Sequence, residues 1–186
     1  MQDAQGREIK YLRVSVTDRC NLRCKYCMPN GIECVEHKDI LSFEEIRQIA
    51  ACGARLGITK IRLTGGEPLA RKGCPELIRM LKEIPGIEKI AMTTNGTLVR
   101  AILPELVEAG LDEVNISLDT LDAGTFAAIT GQDLLPEVLL AIDAALAAGL
   151  KVKVNAVSMP DTDWKRLIML AKNKPVDVRF IELMPI

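Results

Sequence analysis

Six strand-like runs separated by helix-like runs leave this chain few ways to fold. The strand-like runs lie at 11–17, 60–64, 89–94, 113–117, 151–157 and 177–183, and helical patterns lie at 42–56, 75–83, 104–109, 134–148 and 162–172. Strands joined through helices cannot be hairpins, so the sheet is expected to be parallel with right-handed crossovers. Ser42-Phe-Glu-Glu45 reads as a capping box that fixes the start of the first helix. Along the strands polarity alternates. Arg13, Ser15 and Thr17 oppose Leu12, Val14 and Val16; Lys60, Arg62 and Thr64 oppose Ile61 and Leu63. Asn115 and Ser117 oppose Val114 and Ile116, and Lys153 and Asn155 oppose Val152 and Val154. An open sheet covered on both faces would read as continuous apolar runs. A curled sheet with helices outside and a polar lumen fits this alternation. The expected fold is therefore α/β, an incomplete (β/α)6 TIM-type barrel of parallel strands, open on one side.

Four strand cations, Arg13, Arg62, Lys153 and Arg179, need an account. The first three fall on the polar face, and the face of Arg179 is ambiguous because Asp177 and Ile181 share it. One such cation alone reads equally well as a side chain reaching solvent at a strand end. Charges inside a barrel are costly unless paired, so several together imply a polyanionic ligand carrying phosphates. A basic nucleic-acid surface is not expected, because the 186 residues carry a net charge of only −1. No run approaches the roughly 20 apolar residues of a membrane span, and residues 138–150 are interrupted by Asp143. Six cysteines without an apolar N-terminal leader point to a reducing compartment, so a cytoplasmic location is expected.

Three of those cysteines stand together in Cys20-Asn-Leu-Arg-Cys24-Lys-Tyr-Cys27, directly after the first strand. Three thiolates on one loop suit an iron–sulfur cluster with one iron left open. Structural zinc prefers four protein ligands and paired C-x2-C spacings, which this loop does not offer. Cys34, Cys52 and Cys74 stand alone. Cys52, within a helix, reads as a small buried hydrophobe. Cys34 is the only lone cysteine near enough to be weighed as a ligand, and it is not taken as one.

The Cys20-x3-Cys24-x2-Cys27 loop resembles the signature of the radical S-adenosylmethionine enzymes, and Gly65-Gly66-Glu67-Pro68 resembles their methionine-binding turn. Finer similarity is to the GTP 3',8-cyclases of molybdenum cofactor biosynthesis. It is carried by residues 12–24 and 60–69, by Thr93-Thr-Asn-Gly96 and Asn115-Ile-Ser-Leu-Asp-Thr120, and by residues 152–157 and 179–186.

This resemblance implies a set of roles. Cys20, Cys24 and Cys27 hold one [4Fe–4S] cluster, and S-adenosylmethionine occupies its open iron. Tyr26, Gly65, Gly66, Glu67, Ser117, Asn155 and Met184 surround S-adenosylmethionine, with the two glycines admitting its methionyl part and Glu67 helping to hold its ammonium. Arg13, Arg62, Thr93, Lys153 and Arg179 contact GTP. The implied chemistry is a lyase-type cyclisation: a deoxyadenosyl radical removes hydrogen from C3' of GTP, and the ribose radical attacks C8 of guanine. An electron donor protein or reductant is an implied partner. A nucleic-acid or membrane partner is not, and a homodimer is left open.

That family continues into a C-terminal region with a second cysteine triplet. The chain is accordingly expected to be one partial-barrel domain over residues 1–186 without the second-cluster region, binding S-adenosylmethionine but cyclising GTP weakly or not at all. The competing readings are a peptide-modifying radical enzyme and a non-catalytic zinc-binding module.

Overall fold

A computed structural model describes residues 2–27, 35–36, 39–160 and 162–184. The fold is α/β, with six parallel strands in one sheet in the order of the sequence. The strands are β1 (Tyr11–Ser15), β2 (Lys60–Thr64), β3 (Lys89–Thr94), β4 (Glu113–Ser117), β5 (Lys151–Ser158) and β6 (Asp177–Glu182). The helices are α1 (Phe43–Arg55), α2 (Cys74–Lys82), α3 (Val99–Glu108), α4 (Ala123–Thr130), α5 (Leu135–Ala147) and α6 (Trp164–Asn173). A short 3-10 turn, Pro68–Ala70, follows β2. Among the described residues β1 pairs only with β2 and β6 only with β5, so the barrel is incomplete and open on one side.

The apolar parity of the strands makes the core. Ile61, Leu63, Ile90, Met92, Val114, Ile116, Val152 and Val154 are buried against Ile46, Leu77, Leu81, Leu106, Val138, Ile142 and Leu167 of the helices. Burying each such side chain stabilises the fold by roughly 1.5–3 kcal/mol. The opposite parity is polar, yet Arg62, Glu113, Asn115 and Lys153 on it are also buried. Polarity thus alternates along β4 and β5 where burial does not. Among the described residues no single helix is long and apolar enough to cross a membrane.

The capping box forms as expected: Glu45 N donates to Ser42 Oγ at 3.2 Å and Ser42 N to Glu45 Oε2 at 2.7 Å. Three local readings need correction. The helix expected at 104–109 begins at Val99, with Ile102 at φ −127° breaking it just before Pro104. That break explains how a proline is accommodated inside the element. Helix α4 was not foreseen, because its eight residues carry no pronounced apolar stripe. Cys52 is exposed rather than buried and receives a hydrogen bond from Arg55 at 2.9 Å. Of the other lone cysteines, Cys74 lies in the core and Cys34 lies outside the described residues.

Candidate functional site

The cysteine loop leaves the C-terminal end of β1 and is gripped by elements that follow four other stretches of chain. After β2, Gly66 N donates to Thr17 O and Glu67 N to Arg19 O, both at 2.7 Å. After β3, Asn95 Nδ2 donates to Asn21 Oδ1 at 2.8 Å and approaches Cys20 Sγ at 3.8 Å. After β4, Asp119 accepts from Tyr26 Oη at 2.7 Å and from Val157 N at 2.8 Å. The end of α4 supplies the last grip. Its carbonyls at Thr130 and Ile129 accept from Arg23 N and Lys25 N, and Gln132 Nε2 donates to Asn21 O. Helix C-termini carry unpaired carbonyls, and here the cysteine loop satisfies two of them.

Gly65 and Gly66 have a structural task of their own. A Cβ on Gly65 would stand 2.3 Å from Thr17 O, and one on Gly66 would stand 2.4 Å from Arg19 O. Their bare backbone admits the cysteine loop itself. Glu67 follows them in the same turn. Its side chain is fully buried and accepts from Leu69 N, Thr94 Oγ1 and Asn95 N at 3.1, 2.8 and 2.7 Å. With three internal donors and no exposure, its carboxylate ties the β2 and β3 turns together.

The thiols of Cys20, Cys24 and Cys27 are free, with Cys20 and Cys24 half-buried and Cys27 exposed. Leu22 N donates to Cys20 Sγ at 3.4 Å. Burial, then the charge of Asp119 and the neighbouring cysteines, pushes Cys24 up to about 12. Burial and Cys20 raise Cys27 as well. Thiolates at Cys24 and Cys27 are therefore costly here unless a cationic group neutralises them. Among the described residues no three His, Cys, Asp or Glu side chains are placed to share one metal ion. A cluster takes one iron per cysteine and does not require the sulfurs to converge on a point.

Inside the sheet, the polar parity opens as a cavity of about 440 Å³ lined by Arg13, Lys60, Arg62, Lys153 and Arg179, with Tyr11, Thr93, Asn115 and Asn155 between them. The ambiguous Arg179 thus joins the other three cations, opposite Asn155 in the register. Arg62 Nε donates to Tyr11 Oη at 2.7 Å and its Nη1 to Thr93 Oγ1 at 3.3 Å. Nothing described donates to Asn115 Oδ1. Lys60 was missed as a wall residue, although it shares the parity of Arg62. Glu113 was missed too: its Oε2 lies 2.7 Å from Lys60, 3.8 Å from Lys153 and 3.9 Å from Arg62. Ser117 pairs in register with Asn155 near the top of the same face. Met184, two residues past β6, is exposed.

Comparison with known proteins places these features. Residues 14–172 match the sequence profile of the Radical SAM superfamily. A GTP 3',8-cyclase of Pelotomaculum thermopropionicum is 51% identical over 191 residues, covering 100% of this chain and 59% of that protein. A GTP 3',8-cyclase of Moorella thermoacetica is 50% identical, again over 100% of this chain and 59% of the relative. The chain thus spans less than two thirds of the length of these relatives. Among solved structures, Streptococcus suis SuiB bound to S-adenosylmethionine has a TM-score of 0.81 at 19% identity, covering 95% of this chain and 41% of SuiB. Methylornithine synthase has a TM-score of 0.77 at 20% identity, covering 94% of this chain and 53% of the synthase. These last two likenesses concern the fold.

Proposed function

This chain belongs to the Radical SAM superfamily, and from that premise we propose that it acts on GTP in the manner of a GTP 3',8-cyclase. A [4Fe–4S] cluster and S-adenosylmethionine are the cofactors of that superfamily. The free, unpaired thiols of Cys20, Cys24 and Cys27 on one clamped loop fit the cluster. When bound, the two cofactors supply one-electron chemistry able to remove a hydrogen atom from carbon. The proposal includes an external one-electron donor.

The remaining requirements fall on the chain. Arg13, Arg62, Lys153 and Arg179 take the triphosphate, Lys60 joins them, and Thr93 offers a hydroxyl beside Arg62. Charge-assisted contacts of this kind orient as well as attract. Holding the triphosphate on the wall fixes the sugar relative to the C-terminal ends of the strands, where the cysteine loop lies, and such positioning is a large share of catalysis. Tyr26, Gly65, Gly66, Ser117, Asn155 and Met184 are proposed to border S-adenosylmethionine, with the two glycines acting through the loop they admit.

The observation that carries the substrate is the five-cation wall on a chain of net charge −1. An anaerobic single-turnover reaction with GTP, scoring deoxyadenosine and cyclised nucleotide separately, tests it. Nucleotide-dependent formation of deoxyadenosine is expected. Deoxyadenosine formed at the same rate with and without GTP, and no cyclised product, would overturn the substrate.

A further inference from the structure

Glu113 sits at the start of β4, 4% exposed, on the lumen face of the sheet. One of its oxygens faces cations from two other strands: Lys60 and Arg62 of β2, and Lys153 of β5. The approach from β2 crosses β3, where the intervening residue is Ala91, in register with both Arg62 and Glu113. A side chain as small as alanine leaves the corridor between guanidinium and carboxylate clear. Burial alone would raise the Glu113 carboxyl, but the hydrogen bond and charge of Lys60, with Lys153 and Arg62 behind it, hold it below its ordinary value, so it is ionised.

We propose that Glu113 is a built-in counter-anion of the cation wall, pairing Lys60, Arg62 and Lys153 when no polyphosphate is bound and holding polyphosphate affinity below what the cations alone would give. The inference rests on the reading of the wall as a phosphate site. Arg62 and Lys153 are 7% and 8% exposed, and buried cations persist only when paired. A phosphate entering the wall takes over the role that Glu113 already fills, and the two anions repel each other. Glu113 also helps binding by fixing side-chain rotamers. Repulsion a few ångströms away in a partly desolvated wall is the larger of these effects. Removing the charge is therefore expected to weaken the empty protein and tighten anion binding together.

The test is calorimetric titration of the full chain, its cluster reconstituted without oxygen, with inorganic tripolyphosphate. Glu113→Gln is expected to bind about tenfold more tightly than wild type, to melt at a lower temperature without the anion, and to gain more on adding it. Glu113→Asp keeps the charge and is expected to bind like wild type. A purely structural carboxylate would lower the melting temperature without raising affinity. Equal or weaker binding by Glu113→Gln would overturn the proposal. If Glu113→Gln does not fold alone, folding induced by tripolyphosphate supports the proposal and failure of the anion to induce it overturns it. Absence of binding by wild type would overturn the phosphate-site reading itself, a result distinct from wild-type binding that Glu113→Gln does not tighten.

Discussion

The hydroxyl of Tyr26 donates to Oδ2 of Asp119 at 2.7 Å across 93 positions of sequence, and the other oxygen of Asp119 accepts from Val157 N. One buried carboxylate thus joins the cysteine loop to β4 and β5. Asp119→Ala leaves two donors without an acceptor. Each unsatisfied group costs about 1–3 kcal/mol, so the variant should lose several degrees of melting temperature. Iron bound after anaerobic reconstitution should fall with it. Unchanged melting and full iron content would remove Asp119 from the account of the loop.

Gly66 makes a sharper case. A methyl group there meets the carbonyl oxygen of Arg19, which is backbone and cannot swing aside. Gly66→Ala should cost about 1–3 kcal/mol, toward the upper end, as overpacking does. Cluster content should fall more than in an equally destabilised core variant such as Leu77→Val. Equal losses in the two proteins would mean that the turn does not position the loop.

Glu67 has a pH signature. Burial holds its carboxyl above the ordinary value, with hydrogen bonds from Asn95, Leu69 and Thr94 opposing. The folded state then keeps the proton to higher pH than the unfolded state does. The contribution of Glu67 to stability therefore falls as pH rises from the unfolded value of 4.5 through the raised folded value, and is level beyond it. Glu67→Gln does not titrate, and its NH2 group cannot accept where a carboxylate oxygen did, so it should be less stable by about 1–3 kcal/mol. The gap between wild type and Glu67→Gln, followed by denaturant titration, should narrow as pH rises through that window. A gap that widens would contradict this.

Cysteine substitutions separate ligands from bystanders. Cys24→Ala should abolish the broad visible absorbance of the anaerobically reconstituted protein and most of its iron. Cys52→Ala, exposed on α1, should keep both. Full iron in Cys24→Ala would end the cluster assignment.

On the wall, Lys153→Met should weaken tripolyphosphate binding by about 10- to 100-fold, the range of one lost charge-assisted hydrogen bond. Titration calorimetry at two salt concentrations checks it, and the variant should also lose part of its salt dependence. Wild-type affinity in Lys153→Met would exclude this cation from the anion site.

The barrel was legible because helix coverage on one face and a polar lumen on the other leave a period-two trace. Strands β2, β3 and β4 match their expected bounds to the residue. Strand β1 is shorter than the reading of 11–17: Val16 and Thr17 leave the ladder, though Val16 N still donates to Thr64 O and Thr17 O accepts from Gly66 N. The cysteine triplet was legible from spacing alone. The groups that grip it were not, because Asn95, Asp119 and Gln132 act through pairings between distant turns that no local pattern encodes. Glu113 was hidden for the same reason. At the first position of a strand it looks like a solvated end, and only the register of β2 through β5 brings it among cations.

The order of the strands in space repeats their order in the chain, and this sets a sequence of events during synthesis. The cysteine loop is made early, directly after β1, and every group that grips it from outside lies further along: Gly66, Glu67, Asn95, Asp119, then Thr130 and Gln132. At ribosomal rates of about 5–20 residues per second, the three thiols exist for several seconds before the last of these groups has been made. The cysteine loop is thus fully gripped only once α4 and Gln132 have been made, and until then its thiols wait on the ribosome.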